Sequence, residues 1–250
     1  MKALVTGASS GLGYEIAKIL DAKGYDVVIT GRREEQLHHL AKELKNNTQI
    51  IVADLSNPEE CFRLFKEAGD VDVVINNAGA GVHGAFHETT LSEELSMLDI
   101  NITALHILTK LYYMKFREKK TGYLMNVASS AAFYAGPYFS SYYASKAYVL
   151  RLTQALWKEA RAEGLNIGIS VFCPGPVNTE FNAKAGVKAP LSGISAEKAA
   201  RSAVRGTLRK KRVITPGIGT TLSCLCSGLL PDRVALEIVA RIQRKKGAMN

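Results

Sequence analysis

Short apolar runs rich in β-branched residues return seven times along the chain, at residues 3–6, 26–30, 49–52, 71–76, 123–127, 167–172 and 213–215. A longer helical pattern fills each gap between them, at 12–23, 34–45, 58–66, 92–117, 142–162 and 196–209. Strands separated by a helix pair in parallel, and right-handed crossovers then cover both faces of the sheet with helices. Runs such as Val71-Asp72-Val73-Val74-Ile75 are almost continuously apolar rather than alternating, as strands buried on both faces are. The pattern predicts an α/β fold, a doubly wound parallel sheet of about seven strands. The chain is long enough to bury a core without disulfides or a structural metal, and it carries no internal repeat.

The first strand runs directly into Thr6-Gly7-Ala8-Ser9-Ser10-Gly11-Leu12-Gly13, which opens the first helix. Glycines at such a turn allow a tight backbone and close approach of a ligand, and the free N–H groups of the helix start favour an anion. The second strand ends Ile29-Thr30-Gly31-Arg32-Arg33, with no acid at its tip and two guanidinium groups beside it. Basic side chains at a helix start are electrostatically misplaced unless an anion compensates them. Asp54, after Ile51-Val52-Ala53, reads by itself as a cap for the helix beginning at Pro58.

Charge is distributed unevenly. From Arg201 to Asn250 there are eleven Lys or Arg against two acids, so this segment holds the whole formal surplus of +9. Either it meets an acidic partner, a carrier or a membrane surface, or it is a solvated helix face. No nucleic-acid partner is expected. Residues 213–231 lack charge, but Pro216, Gly217, Gly219 and Gly228 interrupt them. A strand, a turn and the start of a helix packed on the core are expected there rather than a membrane span. The cysteines Cys61, Cys173, Cys224 and Cys226 form no CxxC pair, and His83 and His87 lack a positioned acid or thiol, so no metal site is expected. Scattered thiols and a first strand beginning just after Met1 fit a cytoplasmic location.

Four further motifs and one further residue, Asn101, follow strand ends or lie on helices. Tyr142-Tyr143-Ala144-Ser145-Lys146 sets a phenol and an ammonium at i and i+4 on one helix face, where a cation favours the phenolate. Tyr143 has Ala147 at the equivalent spacing. Asn76-Asn77-Ala78-Gly79 ends the fourth strand, and Asn126-Val127-Ala128-Ser129-Ser130 ends the fifth, both at the edge where open α/β sheets bind ligands. Pro174-Gly175-Pro176-Val177-Asn178-Thr179 follows the sixth strand, and Asn101 lies on the long helix. Together with the glycine turn, whose spacing is TGxxxGxG, this set over residues 1–179 resembles the short-chain dehydrogenase/reductase family.

The resemblance implies a Rossmann-type fold and a catalytic tetrad. Tyr142 would exchange a proton with the substrate oxygen, Lys146 would lower the Tyr142 pKa and hold the nicotinamide ribose, Ser129 would orient the carbonyl, and Asn101 would order a water next to Lys146. It also implies a cofactor site. Gly7, Ser9, Ser10, Gly11, Leu12 and Gly13 would line the phosphates and adenosine, and Asp54 with Leu55 the adenine. Asn77, Ala78 and Gly79 would flank the ribose, and Pro174, Gly175, Val177 and Thr179 the carboxamide. An acid after the second strand would select NAD, so Gly31 followed by Arg32 and Arg33 selects NADP(H). Ser130 is expected to point the other way along its strand, as packing or a donor behind Ser129. Met114 and Phe116 are expected in the core.

The reading is one domain, 1–250: a cofactor-binding and catalytic core at 1–179, then a substrate loop and basic segment at 180–250. It predicts an NADP(H)-dependent interconversion of a carbonyl and a secondary alcohol, on a ketone or 3-oxoacyl thioester, by a homodimer or homotetramer. A non-catalytic NADP(H) sensor or scaffold is the alternative, which the intact tetrad disfavours. The irregular segment 174–195 is the candidate substrate lid.

Overall fold

The computed structural model of the chain describes residues 1–187, 193–227 and 231–247. Strand β1 (Lys2–Thr6) leads through helix α1 (Gly11–Asp21) to β2 (Asp26–Gly31), and α2 (Glu34–Glu43) leads to β3 (Thr48–Val52). Helix α3 (Pro58–Ala68) returns the chain to β4 (Val73–Asn76), which enters beside β1 on the side away from β2. Then come α4 (Leu91–Leu98), α5 (Leu105–Lys119), β5 (Thr121–Val127), α6 (Ser140–Ala162) and β6 (Asn166–Phe172). The remainder is β7 (Val177–Asn178), α7 (Phe181–Lys184), β8 (Ile194–Ser195), α8 (Ala196–Leu208), β9 (Val213–Ile214), α9 (Ile218–Cys226) and α10 (Asp232–Gly247). Seven strands form one parallel sheet in the order β3-β2-β1-β4-β5-β6-β9, and β7 pairs with β8 separately.

Each central strand sends alternate side chains to opposite layers, which is why its sequence is apolar throughout. Ala3, Val5, Val27, Ile29, Val73 and Ile75 pack against Ile16, Leu20, Leu37, Leu40 and Ala203 of α1, α2 and α8. Leu4, Val28, Val74, Leu124 and Ile169 face Leu64, Leu108, Tyr112 and Phe116 of α3 and α5. A period of two applied to strands with two covered faces leaves no polar register.

Several sequence expectations need correction. The helix expected over 92–117 is two helices joined by a π-helical turn at Asp99–Ala104. Phe116 is fully buried as expected, but Met114, two residues earlier and so on another side of α5, is 47% exposed. Ser130 does not continue β5: it opens a 3-10 turn over Ser130–Phe133. Asn57, not Asp54, caps α3, by accepting from the Glu59 N–H at 3.0 Å. The segment 174–195 is more regular than expected, with β7, α7 and β8 inside it; its residues 188–192 lie outside those described. The uncharged stretch is only partly packed on the core. Cys224 of α9 is buried, whereas Ile218, Leu222 and Leu225 are exposed. Among the described residues no helix is long and apolar enough to cross a membrane.

Replacing the buried Phe116 ring removes core volume that an adjacent solvent-facing residue does not supply. Phe116→Ala should destabilise the protein by about 3–5 kcal/mol, and Met114→Ala by less than about 0.5 kcal/mol, in urea denaturation followed by circular dichroism. Equal effects would contradict the packing described for α5.

Candidate active site

Strand order reverses between β1 and β4, and their carboxyl ends part there to leave a crevice. Thr6, the last residue of β1, holds its two sides together: its Oγ1 accepts the N–H groups of Asn77 and Ala78, each at 2.9 Å. Asn77 returns the contact, Nδ2 donating to the Thr6 carbonyl at 2.9 Å. Deeper, Asn76 Nδ2 donates to Asn126 Oδ1 (2.9 Å) and Asn126 Nδ2 to Thr153 Oγ1 (3.0 Å), tying β4, β5 and α6 into one buried polar network.

The glycine turn fits this crevice by lacking side chains. Gly7 and Gly11 have φ of 66° and 56°, the left-handed region that favours glycine. Gly13 has an ordinary φ, but a Cβ there would lie 2.4 Å from the Gly7 carbonyl oxygen and 2.5 Å from Asn77 Nδ2. Its role is therefore close packing of α1 against the turn, and it does not line the cleft. Ser10 precedes α1 without making a side-chain cap, so the amides of the first turn keep their donors for a ligand.

The resulting cleft is about 450 Å³. Of the residues singled out from sequence, Gly7, Ser9, Ser10, Gly11, Leu12, Arg32, Arg33, Asp54 and Leu55 line one part of it. Asn77, Ala78, Gly79, Ser129, Tyr142, Lys146, Pro174, Gly175, Val177 and Thr179 line the rest. Arg33 reaches back over the turn: its Nη2 donates to the Ser9 carbonyl (3.1 Å), and Nη1 lies 3.2 Å from Glu180 Oε2. Arg32 stands 3.8 Å from Asp54 and is largely exposed. Both ion pairs are solvent-exposed, so water weakens them as competitors for a phosphate arriving between the two guanidinium groups. Gly31 leaves open the space beside Ser9, whose Oγ a Cβ would approach to 3.2 Å. These features fit a dinucleotide phosphate cradle with a further anionic group at the β2 tip.

Tyr142 and Lys146, both buried, project from the first turns of α6. The Tyr142 ring stacks on Phe139, with centroids 4.4 Å apart and planes 17° from parallel, and Lys146 Nζ donates to the Val127 carbonyl at 3.1 Å while lying 5.8 Å from the Tyr142 ring centroid. Burial pushes the Tyr142 phenol up to about 12, with the Ser129 hydroxyl pulling weakly the other way. Burial likewise brings the Lys146 ammonium down to about 8. Removal from water is the largest cause of both shifts. Ser130, expected to face away, lines the cleft because the chain turns at Ser129.

Asn101 sits in the π-helical turn, fully buried behind the cleft wall. Its Oδ1 accepts from the Ala80 N–H (2.9 Å), and its Nδ2 donates to the Ala80 carbonyl (2.9 Å) and to Ser145 Oγ (3.0 Å). A Cβ on Gly79 would fall 3.0 Å from Asn101 Oδ1 and 3.3 Å from Lys146 Nζ, so the glycine keeps these two groups facing across a small space. The π turn itself left no signal in the apolar periodicity.

Sequence reasoning anticipated the segments 174–195 and 180–250 as substrate-facing but singled out none of the far-wall residues as cleft-lining. Phe139, Tyr143, Phe181, Lys184 and Lys246 line the cleft. The last comes from α10, which docks through Gln243: its Nε2 donates to the Tyr143 hydroxyl, and its carbonyl accepts from His83 Nε2 at 3.2 Å. Gln243 was legible only as one polar residue in a basic stretch.

The family model for short chain dehydrogenases matches residues 1–189. A 3-oxoacyl-[acyl-carrier-protein] reductase of Rickettsia prowazekii is 32% identical over 181 residues, 72% of this chain and 74% of that protein. An uncharacterized oxidoreductase of Staphylococcus aureus is 34% identical over 186 residues, 72% and 80% of the two chains. The solved short-chain dehydrogenase of Sphingobium yanoikuyae in complex with NADPH superposes with a TM-score of 0.80 at 28% identity, covering 91% of this chain and 94% of the other.

The lowered Lys146 value has a measurable sign. Its folded pKa of about 8 lies below the unfolded one, so the unfolded chain binds the extra proton between the two and stability rises with pH across that window. Tyr142, shifted up from 10.0, takes stability away only above pH 10. Between pH 8 and 10 the unliganded wild type should therefore gain stability relative to Lys146→Met, measured as urea midpoints. Parallel pH profiles for the two proteins would show that the ammonium is not desolvated.

Proposed function

Because this chain belongs to the short-chain dehydrogenase family, we propose that it is an NADP(H)-dependent reductase converting a ketone to a secondary alcohol, 3-oxoacyl thioesters being one candidate substrate class. The observation that carries this reading is the buried Tyr142–Lys146 pair one helical turn apart, with Ser129 beside the phenol, in a cleft that begins at the glycine turn. When bound, the dinucleotide supplies the hydride; the protein supplies the proton, the orientation and the charge.

A phenol held near pKa 12 is protonated across the physiological range, so the proton is present for the reductive direction, and charge beside the phenol must ease its departure. Tyr142 donates its hydroxyl proton to the carbonyl oxygen as that oxygen gains charge. Ser129 donates a second hydrogen bond to the same oxygen and fixes its distance from the phenol; a preset donor of this kind needs no reorganisation as charge develops. Lys146 holds a positive charge beside the phenolate left behind, and its bond to the Val127 carbonyl keeps the ammonium in place. Asn101, itself fixed on both edges by Ala80, presents Oδ1 across Gly79 to the ammonium, where a water bridging the two would return a proton from solvent. Phe139 and Phe181 flank the Tyr142 ring and exclude water from it.

Arg32 and Arg33 fit the 2′-phosphate that distinguishes NADP(H), in the place where an acid would hold a ribose hydroxyl. The NADPH in the Sphingobium structure supports the same choice.

Two outcomes test the reading. Tyr142→Phe should lower kcat against a ketone panel by at least about 100-fold, the lower bound for a positioned general acid, while NADPH binding by fluorescence titration stays unchanged; full activity would remove Tyr142 from its role. Replacing Arg32 and Arg33 together by Ala should weaken NADPH binding about tenfold or more beyond any loss for NADH, the scale of a charge-assisted hydrogen bond. Equal losses for both cofactors would overturn the assignment of the 2′-phosphate.

A further inference from the structure

Helix α10 closes the cleft beyond the Phe139–Tyr142 stack. Gln243 is bonded to Tyr143 and His83, and His83 in turn meets Phe139 edge-on with ring centroids 5.5 Å apart. Residues three and four apart share a helix face, so Lys246 and Gly247 follow Gln243 onto this wall. A Cβ on Gly247 would lie 3.2 Å from His83 Cε1, and Lys246 lines the same cleft as Tyr142.

Lys246 is half-buried, and among the described residues it has no ion pair and no hydrogen-bond partner. The two acids that line the cleft already face cations: Glu180 lies 2.6 Å from Lys184 and 3.2 Å from Arg33, and Asp54 is 3.8 Å from Arg32. An ammonium taken partly out of water without an anion is unfavourable. Burial lowers the pKa of Lys246 and, as the largest cause, that of His83, which Lys246 lowers further by repulsion. The cleft beyond Tyr142 thus has an apolar lining of Phe139 and Phe181 with the Lys246 ammonium at its edge, and His83 behind it is held towards its neutral form.

We propose that Lys246 binds a carboxylate carried by the ketone substrate itself, so that the site selects anionic over neutral ketones. The assignment rests on the reductase reading above and adds the substrate's charge to it. Placing a carboxylate there compensates the ammonium, leaves the carbonyl free to meet Ser129 and Tyr142, and leaves the ketone's apolar body against the two phenylalanines. A phosphate on a thioester carrier shares the same charge chemistry, and the experiment separates the two sources.

The test compares 4-acetylbenzoate with acetophenone, two ketones that differ by one carboxylate, in steady-state reduction with NADPH by the wild type, Lys246→Met and Lys246→Glu. Wild type should favour the charged ketone in kcat/KM by about tenfold or more, with Lys246→Met losing that preference through KM rather than kcat and Lys246→Glu inverting it. Calorimetric titration of 4-acetylbenzoate into the enzyme with NADP⁺ should show binding that Lys246→Met weakens, and unchanged NADPH affinity confirms that the variants fold. Turnover without charge preference, together with binding that ignores Lys246, overturns the proposal while leaving the reductase reading intact. Binding that depends on Lys246 with no ketone reduced supports the anion site and removes the reaction instead. If Lys246→Met weakens acetoacetyl-coenzyme A but not 4-acetylbenzoate, the anion is the carrier's phosphate and the carboxylate assignment falls.

Discussion

A single hydroxyl, Thr6 Oγ1, accepts two backbone amides from the end of β4 where the sheet reverses its strand order. The Asn77 amide also reaches the Ile75 carbonyl at 3.0 Å, whereas the Ala78 amide depends on Thr6, because β4 has ended and no neighbouring strand continues to pair with it. Holding the two amides fixes the distance between the glycine turn and the Asn77–Gly79 segment, and with it the width of the crevice. The tolerance is small. Gly13 packs so closely beneath the turn that one added carbon would collide with the Gly7 carbonyl and the Asn77 amide. The buried Asn76–Asn126–Thr153 chain extends the same constraint through β5 to α6, the helix that carries Tyr142 and Lys146. Hydrogen bonds in such a buried network hold only over a narrow range of placements of these elements, although Asn76 Oδ1 itself has no partner among the described residues.

Burial then sets the chemistry. The same withdrawal from water that raises the Tyr142 phenol lowers the Lys146 ammonium, moving the two pKa values apart from each other's needs for a stable ion pair. The phenol therefore stays protonated at neutral pH, and the ammonium beside it, with a pKa of about 8, is still charged there. A lysine so placed is costly to the fold, and strongly shifted groups of this kind in a cleft mark a functional site. At the other end of the cleft, α10 repeats the theme, with an ammonium half out of water and no carboxylate among the described residues to meet it.

Much of the site was legible because its motifs are backbone requirements. Gly7 and Gly11 adopt positive φ, and Tyr142 and Lys146 need only a helix to share a face. Arg32 and Arg33 stood out as cations where a helix start prefers anions. The missed parts share a cause: each depends on contacts between distant segments. Asn101 was named from sequence, but the π turn through which it reaches Ala80 was not, because that turn preserves the apolar spacing on either side of it. Ser130 turns into the cleft because its N–H finds the Pro174 carbonyl at 2.8 Å. Met114 and Phe116 are equally apolar, and only the layer packed against α5 decides which is buried.

Sequence alone determined the parallel sheet, its two covered faces and the run of functional groups at strand ends. Period and spacing are local, and a chain of alternating strands and helices has few ways to satisfy its backbone. Tertiary structure alone decided the order β3-β2-β1-β4-β5-β6-β9, the depth at which Tyr142 and Lys146 lie, and the docking of α10 that brings Lys246 to the cleft. Those are questions of which buried groups meet across long stretches of chain, and desolvation, which governs their charge, has no value until the surrounding layers are in place.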